Sequence, residues 1–361
     1  MTRIAAVRGA LPRNRHPQAE ITDALARLCL PEGADRRLLD RLHVSSRVGS
    51  RHLALPLDRY AKLDGFGAAN DAFVEVAVEL GAEAVGGALE AAGFAPEDVD
   101  MILFTSVTGI AAPSIDARLA GRLGLRPDVK RVPMFGLGCV AGAAGISRLH
   151  DYLRGWPGHV AVLLSVELCS LTLQRDDASI ANLVASALFG DGAAAVVACG
   201  DGRRPGAGTG DGRKESPGPV VVATRGHLYP GSEHVMGWDV SDTGFRVVLD
   251  ASVPDVVRTY LADDVDGFLS DHGLTRRDVT AWVCHPGGPR VLDAVAETLR
   301  LPEGALDLTW RSLAEIGNLS SASVLHVLRD TLALRPPPPS TPGLLIAMGP
   351  GFCSELVLLR W

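Results

Sequence analysis

Two short apolar runs in this chain are each unbroken, and each ends at a polar residue. Met101–Phe104 is followed by Thr105, and Ala281–Cys284 is followed by His285. An unbroken apolar run between helical patterns is typical of a strand in a parallel sheet that helices cover on both faces. The pattern therefore predicts an α/β fold with polar side chains at the ends of buried strands.

The surroundings of these two strands repeat along the chain. Gly93–Asp100 and Gly273–Thr280 lie 180 residues apart, and both have the pattern of a helix end, a turn and the start of a strand. Further along, Gly138–Ala141 is matched by Gly317–Ser320 at a spacing of 179 residues. Each of these motifs precedes a helix of small residues. In a duplicated fold, equivalent loops of this kind meet at the interface between the halves.

A third pair of similar segments follows the first two. Leu188–Ala193 and Ala347–Phe352 share a Gly-x-Gly pattern, and each leads into an apolar strand. Three matched pairs of segments in the same order, two of them at offsets of 180 and 179 residues, indicate an internal duplication. The segment Gly200–Pro219 is rich in glycine and proline, which predicts a flexible linker between the halves. We therefore divide the chain into residues 1–210 and 211–361.

The composition argues against membrane-spanning, secreted and nucleic-acid-binding proteins. The chain has 361 residues, 47% of them hydrophobic, and its mean hydropathy is +0.17. No apolar run approaches the ~20 residues of a membrane-spanning helix. The opening segment Met1–Val7 is too short for a secretory signal peptide, and Arg8 interrupts it. A net charge of −7 and an isoelectric point near 5.8 argue against nucleic acid as a partner.

The cysteines indicate the redox environment. Six are spread over the whole chain, with no CxxC pair and no spacing typical of metal ligands. This distribution is typical of reduced thiols, not of a disulfide framework or a zinc site. We therefore expect a cytoplasmic protein without a metal site.

Cys139 is the strongest candidate for a catalytic residue. It lies between the apolar approach Val132–Phe135 and the small-residue helix that begins at Ala141. A thiol at a turn that opens a helix is close to unpaired N–H groups and to the positive end of the helix dipole, which stabilise a thiolate. The neighbouring glycines leave room for a large substrate. The alternative is an ordinary buried cysteine.

His285 and Asn318 complete a candidate site. The duplication places Asn318 opposite Cys139, and His285 follows a buried strand in the rigid loop His285–Pro289. A histidine can hold a neighbouring cysteine as a thiolate, and an imidazole with a carboxamide can donate to a thioester oxygen. Asn318 also fits a helix cap.

The set of thiol, imidazole and amide suits acyl transfer or peptide hydrolysis. In the papain-like arrangement the nucleophile opens the domain near its N-terminus. Cys139 lies instead in the middle of a duplicated half, lined by glycine and alanine. We therefore favour acyl transfer from a thioester.

These loops also resemble a known family. The motifs around Cys139, His285–Pro289, Gly317–Ser323 and Gly349–Gly351 are together similar to those of the type III polyketide synthases, the chalcone-synthase-like branch of the thiolase-fold condensing enzymes. The likeness covers nearly the whole chain. It implies a thiolase-like fold in which two duplicated α/β halves form a five-layer αβαβα core, and it implies a homodimer.

The resemblance also implies a reaction. Cys139 would carry the acyl chain as a thioester, while His285 and Asn318 promote the decarboxylation of malonyl-CoA and stabilise the enolate and the condensation oxyanion. Such donors can stabilise an enolate without a metal. The expected substrates are acyl-CoA and malonyl-CoA, or methylmalonyl-CoA, without a carrier protein and without a cofactor.

Substrate-binding residues follow from the same resemblance. Phe189 matches the aromatic gatekeeper between the CoA tunnel and the cavity, Val247 stands where plant members have a second gatekeeper phenylalanine, and Gly237 is expected to line the cavity. Thr108 and Cys169 match positions that line a fatty-acyl tunnel in actinobacterial alkylpyrone-forming members. They also fit a helix cap and a core residue.

This tunnel predicts the product. A medium- or long-chain acyl-CoA starter would be extended by a few malonyl units and cyclised to an alkyl α-pyrone or an alkylresorcinol. CoA phosphates need basic partners, and the expected CoA-binding residues are Arg47, Arg51, Arg290, Gly287 and Gly288.

Two other functions remain open at this point. One is a β-ketoacyl carrier-protein synthase that makes a single condensation, as the related initiation enzymes do. The other is a non-catalytic acyl-CoA-binding protein that has kept the thiolase fold. The intact set of Cys139, His285 and Asn318 argues against the second function.

Overall fold

A nine-stranded mixed sheet forms the centre of the protein. The computed structural model describes residues 1–31, 33–175, 177–203 and 218–361. The strands are β1 (Thr2–Ala10), β2 (Asn14–Pro17), β3 (Ser50–Leu53), β4 (Val99–Thr105), β5 (Lys130–Met134), β6 (Val160–Leu168), β7 (Asp191–Gly200), β8 (Val220–Leu228), β9 (Met236–Ser241), β10 (Gly244–Leu249), β11 (Ala281–Cys284), β12 (Pro342–Gly349) and β13 (Cys353–Arg360). The pairs β2–β3 and β9–β10 form separate small sheets.

Helices cover both faces of the large sheet. They are α1 (Gln18–Cys29), α2 (Arg37–Ser45), α3 (Leu57–Tyr60), α4 (Gly65–Ala92), α5 (Ile115–Leu123), α6 (Ala141–Gly155), α7 (Ile180–Leu188), α8 (Val253–Ser270), α9 (Pro289–Leu299), α10 (Asp307–Ile316) and α11 (Ser323–Leu334). None of the helices within the described ranges is both long and apolar enough to cross a membrane.

The strand order confirms the predicted duplication. In the large sheet β11-β12-β13-β8 is followed by β1-β7-β6-β4-β5, so the second half repeats the pairing of the first in mirrored order. The pairs β4–β6 and β11–β12 are parallel, whereas the next two pairs of each half are antiparallel. A short pairing of Thr2 and Arg3 with Val221 and Val220 joins the halves. The two strands read from the sequence, β4 and β11, are thus equivalent.

Three hydrophobic clusters give the layers. One lies under α4, a second surrounds α6 and α11, and a third lies under α8 and α9. Neighbouring residues on one strand alternate between clusters. Ile102 belongs to the first and Leu103 to the second, while Val283 belongs to the second and Cys284 to the third. Burial on both faces explains the unbroken apolar runs, and the fold is the five-layer αβαβα arrangement of thiolase-like proteins.

The predicted linker lies largely outside the described residues. Gly200 is the last residue of β7, and β8 begins at Val220. Residues 204–217 between them are not described, and the proposed division between residues 210 and 211 falls among these.

Candidate active site

Cys139 lies in a tight turn at the start of α6, as the sequence predicts. The turn Gly138–Val140 is a single turn of 3-10 helix that runs directly into α6. Gly138 has φ +53°, and a Cβ at this position would lie 2.7 Å from the ring of Pro350. Only glycine therefore fits between the nucleophile turn and the Gly-Pro-Gly loop. The Cys139 thiol is buried, and it donates to Ser320 Oγ over 3.6 Å.

Asn318 lies at the corresponding place in the second half, just before the 3-10 turn Ser320–Ala322. Its backbone forms a parallel bridge with Phe189, and its N–H donates to the carbonyl of Leu188 at 2.8 Å. The side-chain Oδ1 accepts from the N–H of Ser320 at 2.8 Å, and Nδ2 donates to the carbonyl of Gly287 at 3.3 Å. The carboxamide orientation is thus fixed, and its second Nδ2 proton is left for a substrate oxygen. The side chain of Asn318 can therefore cap the turn through Oδ1 and still donate to a substrate oxygen through Nδ2.

His285 follows β11 and is fixed by its backbone, whose N–H donates to the carbonyl of Ile346 at 2.9 Å. The ring is buried, and neither Nδ1 nor Nε2 has a hydrogen-bond partner among the described residues. Burial lowers the pKa of His285 to about 3, so the imidazole is neutral. A neutral imidazole can donate from one nitrogen and accept at the other, which acyl transfer requires of a catalytic base.

The three side chains meet at one cavity. This cavity of about 390 Å³, the entry cavity, is largely apolar and is lined by Cys139, His285 and Asn318. On the other side of Cys139 lies a second cavity of about 230 Å³, the reaction cavity. Phe189 lines both cavities, which is the position that a gatekeeper between tunnel and chamber requires.

Most of the other predicted residues line these two cavities. Gly287, Gly288 and Arg290 lie along the entry cavity. Gly237, Val247 and Cys169 line the reaction cavity. Arg47 is exposed, and its guanidinium stacks on the ring of Trp310 at 4.9 Å. It follows Ser45 and Ser46, which both line the entry cavity.

Burial opposes the predicted thiolate. It raises the pKa of the Cys139 thiol to about 12, even though the hydrogen bond to Ser320 acts in the other direction. The thiol of Cys139 and the imidazole of His285 line the same cavity. Formation of a charged pair requires transfer of the thiol proton to His285.

Arg51 was expected at the CoA phosphates, but it lies elsewhere. Its side chain is 2% exposed. Its Nε donates to Gln18 Oε1 at 3.0 Å, and its Nη1 donates to the carbonyl of Phe189 at 2.7 Å. The residue therefore lies behind Phe189, because β3 directs it into the protein and away from the mouth of the entry cavity. The prediction that Arg51 binds CoA is wrong.

Thr108 also differs from its predicted role. Its Oγ1 donates to Glu167 Oε2 at 2.9 Å and accepts from the N–H of Leu168 at 2.9 Å. It borders a separate crevice of about 10 Å³ and neither of the two cavities defined above. Its hydroxyl is thus held in a buried network, and it does not line a fatty-acyl tunnel. Ser114, not Thr108, precedes the next helix.

Three residues near the site were missed by the sequence analysis. Trp238 lines the reaction cavity from β9, and Ser320 is the partner of the Cys139 thiol. Glu167 is fully buried and accepts from Ser321 Oγ, which begins the second half's small-residue motif. Burial raises the pKa of Glu167 to about 7. A carboxylate near the end of the largely apolar strand β6 was the available signal, because such a group needs buried partners.

A buried thiol, a neutral imidazole and an oriented carboxamide on one cavity, within a duplicated five-layer fold, define a thiolase-fold condensing enzyme. The family models for the N-terminal and C-terminal domains of chalcone and stilbene synthases match residues 1–202 and 220–361. The chain therefore belongs to the chalcone and stilbene synthase family, the type III polyketide synthases.

Its relatives include bacterial enzymes. The chain is 61% identical over 360 residues to a 1,3,6,8-tetrahydroxynaphthalene synthase from Streptomyces peucetius subsp. caesius, covering 100% of this chain and 93% of the relative. It is 36% identical over 331 residues to a putative chalcone synthase from Bacillus subtilis, covering 90% and 89%. The crystal structure of 1,3,6,8-tetrahydroxynaphthalene synthase from Streptomyces coelicolor A3(2) matches with a TM-score of 0.90 at 29% identity, over 99% of each chain.

Proposed function

We propose that this enzyme condenses malonyl-CoA units and cyclises the resulting chain to 1,3,6,8-tetrahydroxynaphthalene. The observation that carries the proposal is the 61% identity, over the full length of the chain, to an enzyme of that name. The product has ten carbons, and each malonyl unit contributes two after loss of CO₂. Malonyl-CoA alone can therefore supply the whole skeleton.

The first chemical step is acyl transfer to Cys139. The Cys139 sulfur attacks the thioester carbonyl, and His285 accepts the thiol proton. The bond from carbon to the CoA sulfur breaks, and His285 returns the proton to the leaving thiol. Because both ring nitrogens lack protein partners among the described residues, either can face the reacting atoms.

The second step is decarboxylation in the entry cavity. The Nδ2 of Asn318 and an N–H of His285 donate to the malonyl thioester oxygen, so that the enolate formed on loss of CO₂ is stabilised. The apolar walls strengthen these hydrogen bonds. The enolate carbon then attacks the Cys139 thioester, and the chain passes to CoA two carbons longer. We propose that no cofactor besides the CoA thioesters takes part.

The reaction cavity supports a compact aromatic product. Its walls are apolar and include Trp238 and Phe189, whose rings suit a folded chain that closes into two fused rings. The prediction of an alkyl starter is weakened because Thr108 does not line the reaction cavity.

An alkyl α-pyrone or alkylresorcinol is the second candidate product. It is favoured by one observation, a further pocket behind Cys169 whose walls include Ile21, Leu25 and Leu28. A fatty chain could extend along this apolar wall.

The partners and location complete the proposal. CoA would lie at the mouth of the entry cavity, with Arg290 and Arg47 toward its phosphates. A homodimer is supported by β5, the edge strand of the large sheet, where Val132 is 39% and nearby Phe135 53% exposed. We place the enzyme in the cytoplasm, where CoA thioesters are available and thiols stay reduced.

Incubation of the purified enzyme with labelled malonyl-CoA as its sole substrate tests the proposal. Mass spectrometry should detect tetrahydroxynaphthalene without any added starter. A panel of acyl-CoAs of graded length then tests the second candidate. No product from malonyl-CoA alone, together with pyrones once a fatty acyl-CoA is added, would overturn the proposal in favour of the alkyl product. A strict need for acyl carrier protein would favour a β-ketoacyl synthase.

A further inference from the structure

A small side cavity adjoins the reaction cavity. It has a volume of about 50 Å³ and lies between α1, α7 and the segment that follows β6. Cys169, Phe189, Trp238 and Val247 line both this side cavity and the reaction cavity. The distal end of a chain held on Cys139 therefore has a continuous route past Cys169 and into the side cavity.

Arg51 forms part of the side-cavity wall. Two of its nitrogens, Nε and Nη1, donate to the neutral oxygens of Gln18 and Phe189. The third nitrogen, Nη2, is buried and has no hydrogen-bond partner among the described residues. A guanidinium donates through all three nitrogens and is costly to bury when one of them is left unsatisfied.

The charge of Arg51 also lacks a direct counter-ion. Within the described ranges, Arg51 forms no ion pair of 4.0 Å or less. Asp191 is a carboxylate close enough to influence it, but the oxygens of Asp191 accept from the N–H groups of Ala54 and Ser170, at 2.5 and 2.8 Å, and from the Ser170 hydroxyl. The site therefore offers an oriented donor and a positive charge to an anion that enters from the reaction cavity.

We propose that Arg51 binds a carboxylate at the distal end of the acyl chain on Cys139, so that the enzyme favours starter thioesters ending in a carboxylate. This proposal rests on the proposed function, because it assigns the starter class of the same site. Malonyl-CoA is the smallest such starter. The acyl group moves from CoA sulfur to Cys139 sulfur, the Cys139 proton passes through His285 to the CoA thiol, and the distal carboxylate is unchanged.

A carboxylate fits this position better than a fatty chain end does. An alkyl terminus in the side cavity would leave Nη2 of Arg51 unpaired and would remove any water from it. A carboxylate forms a charge-assisted hydrogen bond there, and the apolar residues Ala24 and Leu28 contact the methylene groups that lead to it.

Binding to an enzyme that cannot be acylated tests the proposal. In the Cys139→Ala variant, calorimetry would compare adipyl-CoA with hexanoyl-CoA, which have the same number of carbons but differ in the distal carboxylate. We expect adipyl-CoA to bind roughly 10- to 100-fold more tightly, the range typical of hydrogen bonds to charged groups. Adding Arg51→Gln should abolish the preference, and adding Arg51→Lys should retain part of it. Equal affinity for the two thioesters, or a preference that survives Arg51→Gln, would overturn the proposal.

A second variant separates the charge from the packing of the gatekeeper. Arg51→Gln also loses a bond to Phe189, and displacement of Phe189 would weaken hexanoyl-CoA as much as adipyl-CoA. Ala24→Leu fills the side cavity and leaves Arg51 in place. It should reduce the preference for adipyl-CoA, and an unchanged preference would place the carboxylate elsewhere. None of these measurements requires condensation, so their failure is distinct from a failure to form tetrahydroxynaphthalene.

Discussion

The two halves of this enzyme build similar turns that are associated with different side chains. In the first half a 3-10 turn holds Cys139 and leads into α6, and in the second half Asn318 is followed by the turn Ser320–Ala322, which leads into α11. The equivalent strands β4 and β11 also pair in the same way, each parallel to its neighbour β6 or β12. In the proposed mechanism, the thiol in the first turn forms a covalent bond, and the carboxamide just before the second turn stabilises negative charge.

The backbone contact between the two turns is required by the fold, whereas the side chains at the turns are specific to the reaction. A Cβ on Gly142 would lie 2.3 Å from the carbonyl of Ser321, so the starts of the two central helices touch through backbone and small side chains. This contact brings both turns to one cavity. In the proposed mechanism, one side chain at each turn then divides the reaction into acyl transfer and decarboxylation.

Replacing Cys139 should have the largest effect. Cys139→Ala removes the covalent carrier, and polyketide formation should fall by more than about a thousandfold. Decarboxylation of malonyl-CoA should persist because the donors of Asn318 and His285 remain. Both rates can be followed by mass spectrometry and by release of labelled CO₂. Cys199→Ala, a buried thiol on β7, is the matched control, and it should retain condensation.

Replacing Asn318 should give the opposite pattern, in which decarboxylation is lost and acylation of Cys139 is retained. Asn318→Ala removes the amide donor, so malonyl decarboxylation should fall on the order of a hundred- to a thousandfold. Acylation of Cys139 by a starter thioester, measured by intact mass, should persist. Asn318→Asp keeps the acceptor for the Ser320 N–H but loses the donor, and it should resemble the alanine variant in decarboxylation. Equal loss of acylation and decarboxylation would contradict the division of roles.

The contact between the halves should control stability. Gly142→Ala places a methyl group against the backbone carbonyl of Ser321, which cannot move away alone, and should lower the free energy of unfolding by about 1–3 kcal/mol. Gly121→Ala is the control, because this exposed helical glycine of α5 has nothing within 4 Å of its ideal Cβ. It should raise stability by up to about 1 kcal/mol. Urea denaturation of the two variants, followed by circular dichroism, measures both changes.

Much of this architecture was readable from the sequence because the duplication left local signals. The apolar run Met101–Phe104 and its partner at β11 are buried on both faces, and that burial removes polar positions from each strand. Cys139 and Asn318 were also found, since their glycine-rich turns must accommodate close contacts and positive φ values.

The surroundings of the other predicted residues depend on long-range packing, which the local sequence around each residue does not reveal. Arg51 has the same charge as Arg290, but the direction of its side chain from β3 places it behind Phe189. Thr108 is held by Glu167, which lies 59 residues away in the sequence. The ionisation of Cys139 also depends on long-range packing. The helix dipole is a local feature, whereas the burial that raises the pKa of the thiol comes from both halves.

Replacing His285 should have the smallest effect, on the ionisation of the Cys139 thiol. The rate at which iodoacetamide alkylates Cys139 measures this ionisation. Only the thiolate reacts, and burial raises the thiol pKa, so the rate should increase with pH. His285→Ala removes the group that can accept the proton and stabilise the thiolate. The rate at pH 7 should therefore fall by about tenfold, and the rise should move to higher pH. His150→Ala is the matched control, because His150 is also buried but lines neither the entry nor the reaction cavity. An unchanged profile in His285→Ala would mean that the thiol of the first half ionises without the imidazole of the second.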